Sequence, residues 1–265
     1  MFVIFIFLIV FPDYNHGEVV WAVNCGGPKH TDSHGIKYIA DFLNIGTASD
    51  YGRSFDISRV VPEDYILYQT ERYHNDDFSY PIPVTSDGEY ILTLKFSEVW
   101  FTERYQKVFD VHIQNTIPII ENLDIFDQVG FATALDFHLQ FKIKDRVLFI
   151  RDTTATIDAD IFTVDFIKTQ FDNPKINAIV VTKGTIKDVP QLPPLEVHAH
   201  EEQTFRPQSL ADPDEEDDQE AIYQRISRTP KANNPYAYVD SSYLILPILI
   251  SIGAFLPILF CLCKL

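Results

Sequence analysis

Between residues 19 and 184 the chain consists of short apolar runs that Gly, Asn, Asp or Pro interrupt about every ten residues. No long stretch shows the 3.6-residue period of an amphipathic helix. The clearest strand covers residues 89–101, where Leu92, Leu94 and Phe96 face one way, and residues 108–114 alternate in the same manner. Further predicted strands are residues 19–24, 66–70, 137–142, 146–151, 161–168 and 177–183. The pattern predicts an all-β fold in which about eight strands form two packed sheets of jelly-roll type.

The two ends of the chain are the most apolar segments. Residues 2–11 form an unbroken apolar run of ten, which is too short to cross a bilayer and predicts a signal peptide over residues 1–17. A positively charged n-region and a clear cleavage site are missing, so a buried strand is the alternative. Residues 244–263 contain no charge over twenty positions and predict a transmembrane helix, assigned to 243–263. With only residues 264–265 beyond it, we expect a single-pass type I protein whose bulk is lumenal.

Charge is strongly acidic and unevenly distributed. Asp and Glu number 38 against 21 Lys and Arg, for a formal net charge of −17 and a pI near 4.7. Because binding to a phosphate backbone requires a positive surface, nucleic acid is excluded as the main partner. Residues 201–220 hold nine acids against one base, within a proline-rich segment that predicts a disordered stalk over residues 191–242. The stalk is interpreted as a spacer, with low-affinity calcium binding as an alternative.

Residues 18–190 remain as one folded lumenal domain, and Cys25 is its only cysteine. An intradomain disulfide is therefore impossible, and no N-glycosylation sequon occurs in the chain. Cys25 is either an inert core residue or a free thiol in an oxidising lumen. Cys261 and Cys263 lie at the inner end of the predicted helix, where they are either palmitoylated or small apolar residues.

Catalytic and metal-binding motifs are absent from the sequence, including G-x-S-x-G, H-E-x-x-H, paired C-x-x-C and phosphate-binding glycine loops. His30 and His34, beside Asp32, are the nearest candidates for metal ligands, but turn-forming residues surround them. A glycoside hydrolase would need paired carboxylates, for which Glu98, Asp110 and Asp172 are the candidates. Acids near strand ends more often accept hydrogen bonds, so we expect no enzyme activity.

Aromatic residues are concentrated between residues 65 and 105, where ten occur in 41 positions. Some belong to the core, but Tyr51, Tyr73, Trp100 and Phe101 fall in loops or at strand ends. Aromatic faces beside a carboxylate suit a sugar, because its C–H face packs on the ring while its hydroxyls need acceptors. Ordinary core packing is the alternative interpretation.

These motifs resemble the malectin family, lectins of the endoplasmic reticulum that bind glucosylated high-mannose N-glycans. The segments that carry the resemblance are residues 21–24, 26–27, 48–52, 66–73, 95–99, 107–111, 123–127, 172–175, 188–190, 234–237 and 259–263. The resemblance implies a jelly-roll β-sandwich similar to a carbohydrate-binding module, with the glycan held by loops at one end.

By the same resemblance, the sugar-binding residues are Tyr51, Tyr73, Trp100, Phe101 and Asp172. Trp100 is a departure, because the family usually has tyrosine there, and an indole N–H can donate but not accept. Cys25 stands where relatives generally have alanine. The alternative for Asp172 is purely local, since an acid before Asn173-Pro174 can simply form a turn.

The function that the resemblance implies is a membrane-anchored lectin of the endoplasmic reticulum without a cofactor. Its ligand would be the diglucosylated N-glycan of newly made glycoproteins, in early N-glycosylation and quality control. Malectin-like proteins also associate with ribophorin of the oligosaccharyltransferase complex, so a structural adaptor with a secondary sugar site is the alternative. The tail lacks a lumenal retrieval tetrapeptide, so retention would depend on partners or on the helix.

Overall fold

Strands dominate the computed structural model, which describes residues 17–84 and 86–195. They are β1 Glu18–Asn24, β2 His30–Thr31, β3 Lys37–Ala40, β4 Thr47–Ser49, β5 Glu71–Tyr73, β6 Phe78–Pro83, β7 Gly88–Phe96, β8 Phe109–Ile113, β9 Ile117–Leu123, β10 Leu135–Lys144, β11 Val147–Ile150, β12 Thr153–Thr156, β13 Ile161–Lys168, β14 Lys175–Ile176 and β15 Ala178–Lys183. The α-helices are α1 Ile66–Gln69 and α2 Ile125–Val129, and 3-10 turns occur at Tyr51–Ser54, Pro62–Asp64 and Ile186–Asp188.

The strands form three sheets. The largest has eight strands in the order β12-β11-β10-β7-β15-β1-β3-β2, the second has four in the order β6-β13-β8-β9, and the third is β14-β5-β4. Neighbouring strands are antiparallel except β1 and β3, which are parallel. The chain passes directly between the eight-stranded and the four-stranded sheet at four connections: β6–β7, β7–β8, β9–β10 and β12–β13. These two sheets therefore pack together as a sandwich.

The main core lies between the eight-stranded and four-stranded sheets. Leu92 and Leu94 of β7 are fully buried there, as the alternation in the sequence predicts, and they belong to the same cluster as Val111 of β8 and Phe166 of β13. The prediction of an all-β fold is confirmed. A second, smaller cluster packs α1 and the segments around it onto the outer face of the large sheet.

Both edge strands of the four-stranded sheet contain proline, and neither strand was predicted. Pro81 and Pro83 lie in β6, and Pro118 lies in β9. Proline cannot donate to a strand ladder, so it is tolerated at a sheet edge and obscures a strand in the sequence.

The strand predicted over residues 66–70 is wrong, because Ile66–Gln69 is helix α1. The helix directly follows the 3-10 turn Pro62–Asp64, and its successive residues Leu67 and Tyr68 are both 1% exposed. Burial of two consecutive side chains against one surface does not suit a strand, whose neighbours point to opposite faces. Packing onto the sheet therefore overrides the β-branched and aromatic composition of this segment.

The described residues contain no helix long and apolar enough to span a membrane. The predicted transmembrane helix, residues 243–263, lies outside the described residues, as do almost all of the predicted signal peptide (1–17), most of the stalk (191–242) and the tail 264–265.

Within the described residues, contacts with the folded domain extend beyond residue 190, the end of the predicted domain. Leu192 packs against the second core cluster, and the carbonyl of Pro193 accepts hydrogen bonds from Nε and Nη2 of Arg59 at 2.9 and 2.8 Å. Nη1 of the same guanidinium donates to the carbonyl of Ala134 at 2.7 Å, so Arg59 ties the segment to the sheet.

We expect a chain of residues 17–190 to be less stable than one of residues 17–195. Loss of the Leu192 contact and of two hydrogen bonds to a charged group should cost about 1 to 3 kcal/mol, a fall in Tm of roughly 3 to 10 °C. Calorimetric melting of both chains is the measurement. The variant Arg59→Ala in the longer chain should reproduce much of the loss, and equal melting temperatures would contradict the assignment.

Cys25 is an inert core residue. It is fully buried in the main core, and burial together with the nearby Asp41 raises the pKa of its thiol well above the ordinary value. Since the thiolate is the reactive form, the folded protein suppresses both access and reactivity.

We therefore expect Cys25 to resist iodoacetamide in the folded protein and to react at once in denaturant. Mass spectrometry of the peptide that contains Cys25 measures the fraction that is alkylated. Peptides from the adjacent segments serve as the internal standard for its amount. Alkylation of folded protein at neutral pH within minutes would show that the thiol is accessible.

Candidate functional site

Tyr51 and Trp100 form an aromatic pair at the surface. Tyr51 begins a 3-10 turn and is 41% exposed, whereas Trp100 is half-buried in the loop after β7. Their ring centroids lie 4.8 Å apart at an interplanar angle of 62°, an edge-to-face arrangement. The structure thus brings together two residues that are 49 positions apart in the sequence.

Gly52 allows the Tyr51 turn to lie close against α1. A Cβ atom at this position would be 2.5 Å from the carbonyl oxygen of Gln69 and 2.7 Å from its Cα. These are backbone atoms that cannot swing aside, so any larger residue would push the turn, and Tyr51 with it, away from the helix. Close approach, not a special backbone angle, is the reason for glycine here.

Glu98 holds the loop that carries Trp100 and Phe101. Its carboxylate Oε1 accepts hydrogen bonds from the backbone N–H groups of Trp100 at 2.9 Å and Phe101 at 3.1 Å. Glu98 is 1% exposed and Phe101 is 5% exposed. The residue considered above as a hydrolase acid therefore serves as a backbone acceptor that fixes the direction of two predicted site residues.

Tyr73 is buried in the middle strand of the three-stranded sheet. It pairs with Lys175 on one side and with Thr47 on the other, and only 3% of it is exposed. Burial, opposed by a hydrogen bond with Thr47 and reinforced by the charges of Glu71 and Asp172, raises the pKa of its hydroxyl. Tyr73 is thus buried within its sheet, whereas Tyr51 lies at the protein surface.

Asp172 lies half-buried in the loop that precedes β14. Its Oδ1 accepts a hydrogen bond from the N–H of the next residue, Asn173, at 2.5 Å, so part of its role is local to this loop. Asp172 is also close enough to influence the pKa of both Tyr73 and Lys107. Asp172 therefore has a local structural role and also lies near the buried side chains of Tyr73 and Lys107.

A buried network of charges connects these segments. The ammonium of Lys175 lies 2.6 Å from Oε2 of Glu71 and 3.9 Å from Oε2 of Glu98, and each of these side chains is at most 2% exposed. Burial disfavours the charge on Lys175, but the two carboxylates outweigh that effect and raise its pKa. Nζ of Lys107 donates to Oδ1 of Asn173 at 2.6 Å.

Sequence reasoning missed this network because lysine and glutamate are almost always exposed. The available signal was the position of two lysines next to apolar strands, Lys107 before β8 and Lys175 at the start of β14. Neither position indicates by itself which way the side chain points.

The other acids and histidines that the sequence suggested have local roles. Asp32 accepts from the N–H groups of His34 and Ile36, and Nε2 of His30 lies 3.5 Å from Asp64. No group of three or more metal-binding side chains occurs in residues 17–84 and 86–195. The carboxylate of Asp110 accepts from the N–H of Asn122 at 2.7 Å.

A separate pocket, lined mainly by apolar side chains, lies over the outer face of the large sheet. Lys95 and Asp136 form an ion pair of 2.8 Å there, and the hydroxyl of Tyr68 donates to Asp136 at 2.6 Å. Nζ of Lys95 lies 5.2 Å from the centroid of the Tyr68 ring. The polar groups around this ion pair are hydrogen-bonded to each other, so they do not require a ligand to satisfy them.

Comparison with known proteins reveals extensive similarity. Residues 19–179 match the model of the Malectin domain family. The matched range contains all five predicted sugar-binding residues: Tyr51, Tyr73, Trp100, Phe101 and Asp172. Malectin-A of Xenopus laevis is 43% identical over 251 residues, which cover 94% of this chain and 89% of that protein. Malectin of Homo sapiens is 41% identical over 252 residues, covering 94% and 84%.

Solved structures support the same architecture. The ANX2 ectodomain from Arabidopsis thaliana aligns with a TM-score of 0.52 at 18% identity, covering 67% of this chain and 53% of that one. The ANXUR2 extracellular domain from the same plant aligns with a TM-score of 0.50 at 17% identity, covering 67% and 52%. The chain thus spans about half the length of those ectodomains, and the likeness concerns the fold only. On the family match and the sequence identities together, the chain belongs to the malectin family.

Proposed function

We propose that this chain is a membrane-anchored lectin that binds glucosylated high-mannose N-glycans. The observation that carries the proposal is the aromatic pair of exposed Tyr51 and half-buried Trp100, which lies within the malectin-family domain. Asp172 provides a carboxylate near the same loops. This combination supplies an apolar face and a charged acceptor, the two things that a glucose unit needs.

In this proposal Tyr51 and Trp100 form the outer wall, on which a two-glucose unit stacks. Phe101 and Tyr73 form the base of the site, and Asp172 accepts hydrogen bonds from the hydroxyls. A site with a desolvated acceptor discriminates strongly against a ligand that lacks the matching hydroxyl, because the acceptor is then left unpaired. Trp100 keeps a stacking face but has no acceptor, so its polar contact with a sugar is a donated N–H.

The cellular setting belongs to the same proposal. A lumenal domain on an acidic stalk, anchored in the membrane of the endoplasmic reticulum by residues 243–263, would sample newly made glycoproteins in their early processing. No cofactor or catalysis is part of it, since Glu98 and Asp110 are used as backbone acceptors.

We expect the full-length chain to bind nigerose, the α1,3-linked glucose disaccharide, in calorimetric titration, and to bind maltose more weakly. Tyr51→Ala should weaken nigerose binding about tenfold or more, because a stacking ring is lost. Phe149→Ala is the matched control, since Phe149 is a similarly exposed aromatic residue, 39% against 41%, on β11 of the large sheet. Tyr73→Ala is less suitable, because removing a buried ring costs about 3 to 5 kcal/mol of stability.

Equal losses for Tyr51→Ala and Phe149→Ala would contradict this placement of the site. No nigerose binding by folded wild-type chain would favour the adaptor function, with ribophorin of the oligosaccharyltransferase complex as the partner to test by co-purification. Release of free glucose from a diglucosylated oligosaccharide would instead indicate a hydrolase.

Asp172→Asn separates the two roles of this residue. The amide oxygen of Asn can still accept from the N–H of residue 173, so the turn is retained while the charge is lost. We expect unchanged melting and an affinity for nigerose lower by about ten- to a hundredfold, the range for a hydrogen bond to a charged group. Unchanged affinity in the same titration would assign Asp172 to the turn only.

A further inference from the structure

Lys107 lies buried between two of the proposed sugar-binding elements. It is 4% exposed, and its Nζ lies 5.5 Å from the centroid of the Phe101 ring. The same ammonium donates to Oδ1 of Asn173 at 2.6 Å. One cation therefore contacts the aromatic loop on one side and the Asp172 loop on the other.

The contact with Asn173 determines how the Asp172 loop is held. An ammonium can only donate, so the amide of Asn173 must present its oxygen to Lys107. The backbone N–H of Asn173 in turn donates to the carboxylate of Asp172. Two hydrogen bonds of Asn173 thus connect the ammonium of Lys107 to the carboxylate of Asp172.

The charges that face Lys107 come from each segment of the site. Burial lowers its pKa, Glu98 opposes that effect, Lys175 adds to it, and Glu71 and Asp172 oppose it. Glu98 is the residue that also holds the backbone of Trp100 and Phe101. Removing the charge of Lys107 would therefore change the balance of charges around Glu98, the residue that holds the loop of Trp100 and Phe101.

We propose that Lys107 is a positioning residue of the sugar site, whose ammonium sets the separation between the Phe101 ring and the Asp172 carboxylate. The inference rests on the proposed function, because it assigns a role in binding to a residue beneath the site. Lys107 contacts no sugar itself. It acts by holding two ligand-binding loops in register before the ligand arrives, which reduces the ordering cost of binding.

The first test is nigerose titration of full-length Lys107→Met, which keeps the apolar stem and removes the charge. Lys95→Met is the matched control, because Lys95 is a largely buried lysine, 12% exposed, with an aromatic ring near its ammonium, but it pairs with Asp136 and lines the separate pocket. We expect both variants to melt earlier than wild type. Only Lys107→Met should lose affinity, by about tenfold or more.

The second test is the pH profile of binding, which a purely structural role would not change. The folded-state pKa of Lys107 lies below its ordinary value of 10.5, so its proton is lost early as pH rises. Lys175 has a raised pKa and stays charged, and the other charged groups that face Lys107 are the carboxylates of Glu71, Glu98 and Asp172. Wild-type affinity should therefore fall as pH rises toward the depressed pKa of Lys107, before the ordinary lysine value of 10.5 is reached, and that of Lys107→Met should not.

The variant Asn173→Ala covers the case in which Lys107→Met folds poorly, because nigerose titration of this variant alone should also show a loss of affinity. Asn173→Ala breaks the same hydrogen bond without removing a charge, and its effect on affinity should not add to that of Lys107→Met. Additive effects, or wild-type affinity in both single variants, would overturn the positioning role while leaving the lectin function in place. Absence of nigerose binding in the folded wild type would instead remove the proposed function, and this inference with it.

Discussion

The ammonium of Lys175 in the protein interior is the constraint on which the arrangement of the site depends. A buried charge is tolerated only with close partners of opposite sign, and Lys175 finds them in Glu71 at 2.6 Å and Glu98 at 3.9 Å. These three residues come from β14, from β5 and from the loop after β7. The charge is therefore satisfied only when the three segments meet, and each of them carries proposed sugar-binding residues: Asp172, Tyr73, and Trp100 with Phe101.

Asn177, a neutral residue two positions after Lys175, provides partners for buried backbone groups in the same way. The amide of Asn177 is fully buried, donates to the carbonyls of Tyr68 and Thr70, and accepts from the N–H of Ser97. It thus satisfies carbonyls where α1 ends and β5 begins, and joins them to the end of β7. Buried backbone groups need partners, and Asn177 supplies one to both carbonyls, while the hydroxyl of Ser97 also donates to that of Tyr68.

The proposed site therefore combines a buried, hydrogen-bonded base with a small accessible surface. Tyr73 and Phe101 are almost entirely buried and lie in or beside the charged network, whereas Tyr51 is exposed and Trp100 is half-buried. A base that is already ordered loses little conformational freedom when a ligand binds. The same burial means that substitutions in the base affect folding and binding together, which is why charge-removing variants that keep size are the informative ones.

The sequence by itself determined the fold class and the main core, because alternation of period two is local: Leu92, Leu94 and Phe96 face inward whatever their partners are. The aromatic candidates for sugar binding could also be identified from the sequence, through their positions at strand ends and the resemblance to malectin. Tertiary structure decided what the pattern could not express. It made residues 66–69 a helix, placed proline-containing β6 and β9 at sheet edges, and buried Cys25, Lys107 and Lys175. In each of these cases the outcome depends on contacts between residues far apart in the chain, and no local pattern contains that information.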